Sequence, residues 1–184
     1  MDSFTKTTYK LIVDKNLIIL PTDTVYGLVC RYDSKPAVEK IYKLKKRYRK
    51  KPLILLGYNW KALKKFVKIS KHDVKAIHEL PQQWPGPLTI VLPASKKVPK
   101  FLNKGFKTIG IRVPNNKFLL NLLKHSPGQV LASTSANISG KPSKQPQKEL
   151  IKKVKLFIKA KKDEMSFRPS RIVMVSKDKI KLLR

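Results

Sequence analysis

The chain has 184 residues, 41% of them hydrophobic and 8% aromatic, enough for one full core and too few for two ordinary domains. Its one cysteine, Cys30, excludes a disulfide framework and a cysteine-based metal site, and no apolar run has the length of a signal peptide or a membrane span; the expected location is cytoplasmic. Charge is extreme, with 42 Lys plus Arg against 11 Asp plus Glu and a formal net charge of +31, so partners are expected among nucleic acids and other polyanions. Many lysines are spread evenly, as a compositional bias would leave them, but KIYKLKKRYRKK (40–51) concentrates eight basic residues in twelve.

In chain order, residues 3–13 form a first expected helix, and Leu17, Ile18, Ile19 and Leu20 a short buried strand. That strand runs into PTDTVYG (21–27), where Pro21 removes a backbone donor and Thr22, Asp23 and Thr24 follow at once. Such a cluster either forms a turn whose side chains bond local backbone, or lines the crevice beyond a strand end where open α/β sheets bind ligands. Ser34 caps a second helix over 36–47, with Pro36 in its first turn. PLILL (52–56) reads as a buried strand; Asn59 caps a helix to about residue 67, and Ser70 another to residue 80, where Pro81 stops it. His78, near the apolar line of that helix, is expected to pack. TIVLP (89–93) and TIGIRVP (108–114) are strands closed by prolines, Asn115 or Asn116 opens a helix to residue 124, and QVLAS (129–133) is again a strand. A loop of small polar residues leads to an expected helix over 147–159, and RIVMV (171–175) with KIKLL (179–183) forms a closing hairpin. Helices interleaved with apolar strands, several of them adjacent, predict one α/β unit over 1–184 with an open, twisted, mixed sheet flanked by helices.

Three features carry chemistry. At ~100° per residue, Ala37, Val38, Ile41, Tyr42 and Leu44 share one arc of the second helix, and Lys45 falls inside it. An inward ammonium is costly unless it meets an anion or reaches water, so either the helix ends before Lys45, or the lysine snorkels, or it aims a cation into an anion site from the helix end, with Arg47 beside it. ASTSANISGKPS (132–143) follows a strand, and Ser133, Ser135, Asn137 and Gly140 suit close approach to a phosphate; a solvated surface loop is the alternative. It is not a P-loop, because Ser135 stands where that motif requires its first glycine. Arg112 is either an edge cation or part of the same crevice, and the prolines around Gly86 in WPGPLT (84–89) read as rigid architecture. His72, His78 and His125 lack metal-ligand spacing, and no G-x-S-x-G turn occurs. The chemistry expected is one of positioning and positive charge, as in phosphoryl and nucleotidyl transfer.

LPTDTVYGL, LKKRYRKKPLILL, WPGPLTIVL, GIRVP and STSANISGKPS stand in the order and spacing of the YrdC-like threonylcarbamoyl-AMP synthase (TsaC) family, which the chain resembles from about residue 5 to its end, PSRIVMV and KLLR included. The resemblance implies a YrdC-like open sheet with a basic cavity. It also implies a nucleotidyltransferase that makes threonylcarbamoyl-adenylate from L-threonine, bicarbonate and ATP with Mg²⁺, releasing pyrophosphate, for N6-threonylcarbamoyladenosine in tRNA. Carried over position by position, Thr24, Ser133 and Ser170 would hold threonine, while Lys45 and Arg47 (K-x-R) with Ser135 and Asn137 (S-x-N) would hold the triphosphate. Lys51, Thr89, Ser143 and Arg184 would complete the nucleotide site, with no metal ligand assigned to the protein. Threonylcarbamoyl-transferase proteins would take the product, and tRNA or double-stranded RNA would meet the basic surface. Three positions depart from the family pattern: Tyr48 replaces the proline after Arg47, Asn116 stands where histidine is common, and Leu56 replaces a histidine of longer members. A rival reading, from charge alone, is a non-enzymatic module that holds double-stranded RNA by its phosphates.

Overall fold

The computed structural model describes residues 2–45, 52–138, 144–176 and 179–184. Helix α1 (Ser3–Val13) starts at Asp2, whose carboxylate accepts the Thr5 N–H at 2.9 Å. Strands β1 (Ile18–Leu20) and β2 (Gly27–Cys30) pair antiparallel on either side of the Thr-Asp-Thr loop. β2 carries no readable alternation, because all four of its residues are buried. Helix α2 (Lys35–Leu44) is capped by Ser34, whose Oγ accepts the Ala37 N–H at 3.4 Å; its last helical residue is Leu44, and the expected end at residue 47 lies outside the described residues.

Strand β3 (Ile54–Gly57) leads to α3 (Trp60–Leu63), one turn capped by Asn59 that tightens into 3₁₀ geometry over Lys64–Phe66 instead of continuing as a helix. Helix α4 (Val74–Glu79) follows a 3₁₀ turn, and His78 lies exposed on it, so the expected packing role is wrong. β4 (Leu88–Pro93), α5 (Lys100–Asn103) and β5 (Thr108–Arg112) come next. Then α6 (Lys117–His125) is capped by Asn116, and β6 (Val130–Ser135) runs two residues beyond its expected end.

The largest correction lies in 147–159. Only α7 (Lys148–Ile151) is helical there, and β7 (Leu156–Phe157) instead adds in parallel to β1. Lys155 N donates to Leu17 O at 3.0 Å and Ile158 N to Ile19 O at 2.9 Å. The free edge of β1 satisfies that backbone, so tertiary pairing overrides a helix-compatible stretch. β8 (Arg171–Ser176) and β9 (Lys179–Leu182) form the expected hairpin.

Among the described residues nine strands form one mixed sheet in the order β7-β1-β2-β6-β3-β5-β4-β8-β9, parallel at β7/β1, β3/β5 and β4/β8 and antiparallel elsewhere. Strand alternation divides it into two faces. On one, Leu28, Leu55, Ile90, Ile111 and Ala132 pack with Val38 and Ile41 of α2, Leu63 of α3 and Ile77 of α4 in the main core. On the other, Ile18, Leu20, Val29 and Leu131 pack with Ile12 of α1 and Leu119, Leu122 and Leu123 of α6. That second cover reaches only the β1–β2–β6–β3 end. The rest of the face is left to a cavity.

Candidate functional site: a basic cavity on the half-covered face

The cavity has a volume of about 640 Å³. Its floor is made of alternate strand residues, namely Ile54, Thr89, Val91, Thr108, Gly110, Arg112, Ser133, Ser135, Ile172 and Met174. Gly110 sits in the middle of that floor, paired with Ile54 and Val91. A Cβ there would come within 2.8 Å of Ile54 Cγ2 and 3.4 Å of Thr89 Cγ2, so glycine keeps the floor open and lets its neighbours close around it.

Eight of the eleven site residues implied by the family resemblance line this one cavity: Thr24, Lys45, Thr89, Ser133, Ser135, Asn137, Ser170 and Arg184. Arg47, Lys51 and Ser143 lie outside the described residues. Lys45 follows α2 directly and is only 1% exposed. Helix α2 does end before Lys45, yet the side chain does not snorkel: Nζ donates to the backbone carbonyls of Ser135 and Asn137. The helix end and the S-x-N loop are thereby tied through one buried ammonium.

Arg112, which the sequence left between two roles, belongs to the crevice. It lines the cavity, is 4% exposed, and is held from three sides. Nε donates to Gly86 O at 3.0 Å, Nη1 to Thr24 Oγ1 at 2.9 Å, and Nη2 to Asp23 Oδ1 at 2.6 Å. WPGPLT therefore presents a carbonyl to this guanidinium as well as shaping a turn, and a Cβ on Gly86 would meet Gln83 O at 2.6 Å. Burial pushes Arg112 below its ordinary value, and Arg184 pushes the same way, while Asp23 opposes both.

The Thr-Asp-Thr loop turns out to do both things expected of it, local bonding and lining. Thr22 Oγ1 donates to Val25 O at 2.7 Å, which commits its single proton. Thr24 Oγ1, 3.0 Å from Thr22 Oγ1, must then donate to it, while accepting from Arg112. The chain Arg112→Thr24→Thr22→Val25 O has a fixed direction, so Thr24 has no hydroxyl proton left to offer a ligand. Across the floor, the Thr89 and Ser170 hydroxyls lie 2.9 Å apart, and Arg184 donates to Ser170 O from Nε and Nη2 at 3.3 Å each. Burial also pushes the Arg184 guanidinium down.

Among the described residues lining the cavity there are three cations, Lys45, Arg112 and Arg184, and no Asp or Glu. No group of three His, Cys, Asp or Glu suited to hold a metal occurs among the described residues, and none of the described helices is long and apolar enough to cross a membrane. Fold and site thus define an α/β protein with a cation-lined cavity on one face of an open sheet.

Residues 10–184 match the Sua5/YciO/YrdC family model, described as telomere recombination. The chain belongs to that family. It is 39% identical over 124 residues to the threonylcarbamoyl-AMP synthase of Pseudoalteromonas translucida, covering 67% of this chain and 66% of that protein. With the enzyme of the same name from Buchnera aphidicola it shares 38% over 128 residues, 70% of this chain and 67% of that one. The crystal structure of P. abyssi Sua5 complexed with L-threonine superposes with a TM-score of 0.83 at 29% identity, over 98% of this chain and 53% of that chain. The chain thus spans about two thirds of those curated relatives and about half of the P. abyssi protein.

Proposed function

We propose that this chain is a threonylcarbamoyl-AMP synthase, a nucleotidyltransferase acting on L-threonine, bicarbonate and ATP. The observation that carries the reading is the convergence of all eight described motif residues, with Arg112, on one cavity that offers cations and hydroxyls. The relatives of that name and the L-threonine in P. abyssi Sua5 support it.

In this reading the threonine amine captures CO₂ from bicarbonate as a carbamate. The carbamate oxygen attacks the α-phosphate of ATP, the bond to the β-phosphate breaks, and pyrophosphate leaves. Lys45 and Arg184 hold the triphosphate with Ser135 and Asn137, and Arg47, Lys51 and Ser143 join them on motif grounds. Cations fixed before the reaction stabilise charge as it moves onto pyrophosphate. Arg112, with two of its five N–H donors not taken by Gly86, Thr24 or Asp23, takes the threonine carboxylate. Ser133 and Ser170 supply hydroxyls, and Thr24 contributes its methyl group and the orientation of Arg112. The described lining offers hydroxyls and cations to a metal, so Mg²⁺ enters as part of the ATP complex, where it offsets phosphate charge. The product then passes to a threonylcarbamoyl-transferase acting on tRNA.

Pyrophosphate release that requires both threonine and bicarbonate is the expected result. Serine, lacking one methyl, should react roughly 10- to 200-fold less efficiently. Release without bicarbonate, or equal use of serine, would remove this assignment.

A further inference from the structure

The cations of this cavity are not held alike. Arg184 donates to a neutral carbonyl, that of Ser170, whereas Arg112 meets a carboxylate: the Asp23 and Arg112 side chains are 12% and 5% exposed and 2.6 Å apart. Asp23 is itself anchored, since its backbone carbonyl accepts the Ser166 N–H at 3.1 Å. A guanidinium fork fits a carboxylate and a phosphate equally well in shape. Shape at Arg112 therefore cannot tell an amino acid from a phosphate in a cavity that must hold both. Charge can. Repulsion from Asp23 grows in proportion to the charge of the arriving ligand, so a multiply charged phosphate loses more than a single carboxylate does. Three of the five Arg112 donors are occupied by protein, which leaves two for a ligand.

We propose that Asp23 sorts the ligands within this cavity: by offsetting the charge of Arg112 it keeps phosphate off that guanidinium and reserves it for an amino-acid carboxylate. Asp23 acts through Arg112 and is a positioning and selectivity residue. The inference rests on the reading of the cavity as a threonine and ATP site.

The test is competition between inorganic phosphate and L-threonine, measured by equilibrium binding on the whole chain without ATP. In the wild type, phosphate should leave threonine binding nearly unchanged. Asp23→Asn keeps the size and an acceptor oxygen but removes the charge; phosphate should then displace threonine at least about tenfold more effectively, the scale of one lost like-charge contact. Asp23→Glu, which restores the charge, should behave as the wild type. Equal phosphate competition in the wild type and Asp23→Asn overturns the proposal. So does phosphate seated on Arg112 in wild-type crystals soaked with it, a result that does not depend on any variant folding. If the wild type fails to bind threonine, the functional reading falls and the sorting role falls with it; if threonine binds but Asp23→Asn leaves phosphate competition unchanged, only the sorting role falls.

Discussion

Neighbouring residues on the same strands have opposite fates on the two faces of the sheet. Leu28, Leu55, Ile90, Ile111 and Ala132 are buried under helices, while Gly27, Ile54, Thr89, Gly110, Arg112 and Ser133, each one position away, line the cavity. On the cavity face the same strand changes character along its length: Leu131 of β6 packs against α6, and Ser133 and Ser135 open onto polar space. The lesson is a division of labour. A continuous core on one face, with α1 and α6 over half of the other, lets the remaining half carry buried cations and hydroxyls that add little to stability.

The sharpest way to break this comparison is Lys45→Met, which exchanges the buried ammonium for an apolar chain of similar length. Adenylate synthesis should fall by about 10²–10³-fold, the scale of one lost electrostatic contact to a developing charge, and steady-state kinetics would measure it. Its mirror image is Leu92→Ala on the helix-covered face, where Leu92 is fully buried. That variant should lose ~2–5 kcal/mol of stability in denaturant melts. Its turnover per folded molecule should stay near wild type. If the two variants gave the same pattern, the faces would not be separable.

Gly110→Ala tests the boundary between them. The new methyl would lie 2.8 Å from Ile54 Cγ2, so the floor must shift. Overpacking of this kind costs ~1–3 kcal/mol, and the KM for substrates should rise along with the fall in melting temperature. A change in only one of these would place Gly110 wholly on one side of the division.

The smallest effect belongs to Arg31→Ala, away from both regions. Arg31 and Asp33 pair at 2.7 Å on the surface, and the hydrogen bond from Arg31 holds the Asp33 carboxyl below the usual carboxylate range. A lowered carboxylate stabilises the fold at neutral pH and loses that contribution as acid protonates it. Losing the pair should therefore cost only ~0.2–1 kcal/mol at neutral pH and low salt, and less as salt is added. Thermal melts on both sides of the carboxylate range, with and without salt, would measure the difference.

Much of this architecture is legible in the chain itself, because it depends on short-range chemistry. Caps at Ser34, Asn59 and Asn116 set helix starts, and apolar runs ended by proline mark β4 and β5. Helix period also pointed Lys45 inward, although α2 ends one residue before it, and ordered motifs carried the residues that converge on the cavity. What needed the tertiary structure involved partners far away in sequence. The segment after residue 151 reads as helix until the edge of β1 offers it hydrogen bonds, and β7 forms there because pairing outweighs propensity. Likewise Arg112 is 89 residues from Asp23 and 26 from Gly86, and no local pattern reveals that a carboxylate, a hydroxyl and a carbonyl close around it. Helix period, capping and strand alternation act within a few residues, so the sequence alone determined most of the elements and the faces they present; the pairing of β2 and β7 and the fate of a buried charge depend on what surrounds them, and only the folded chain decided those.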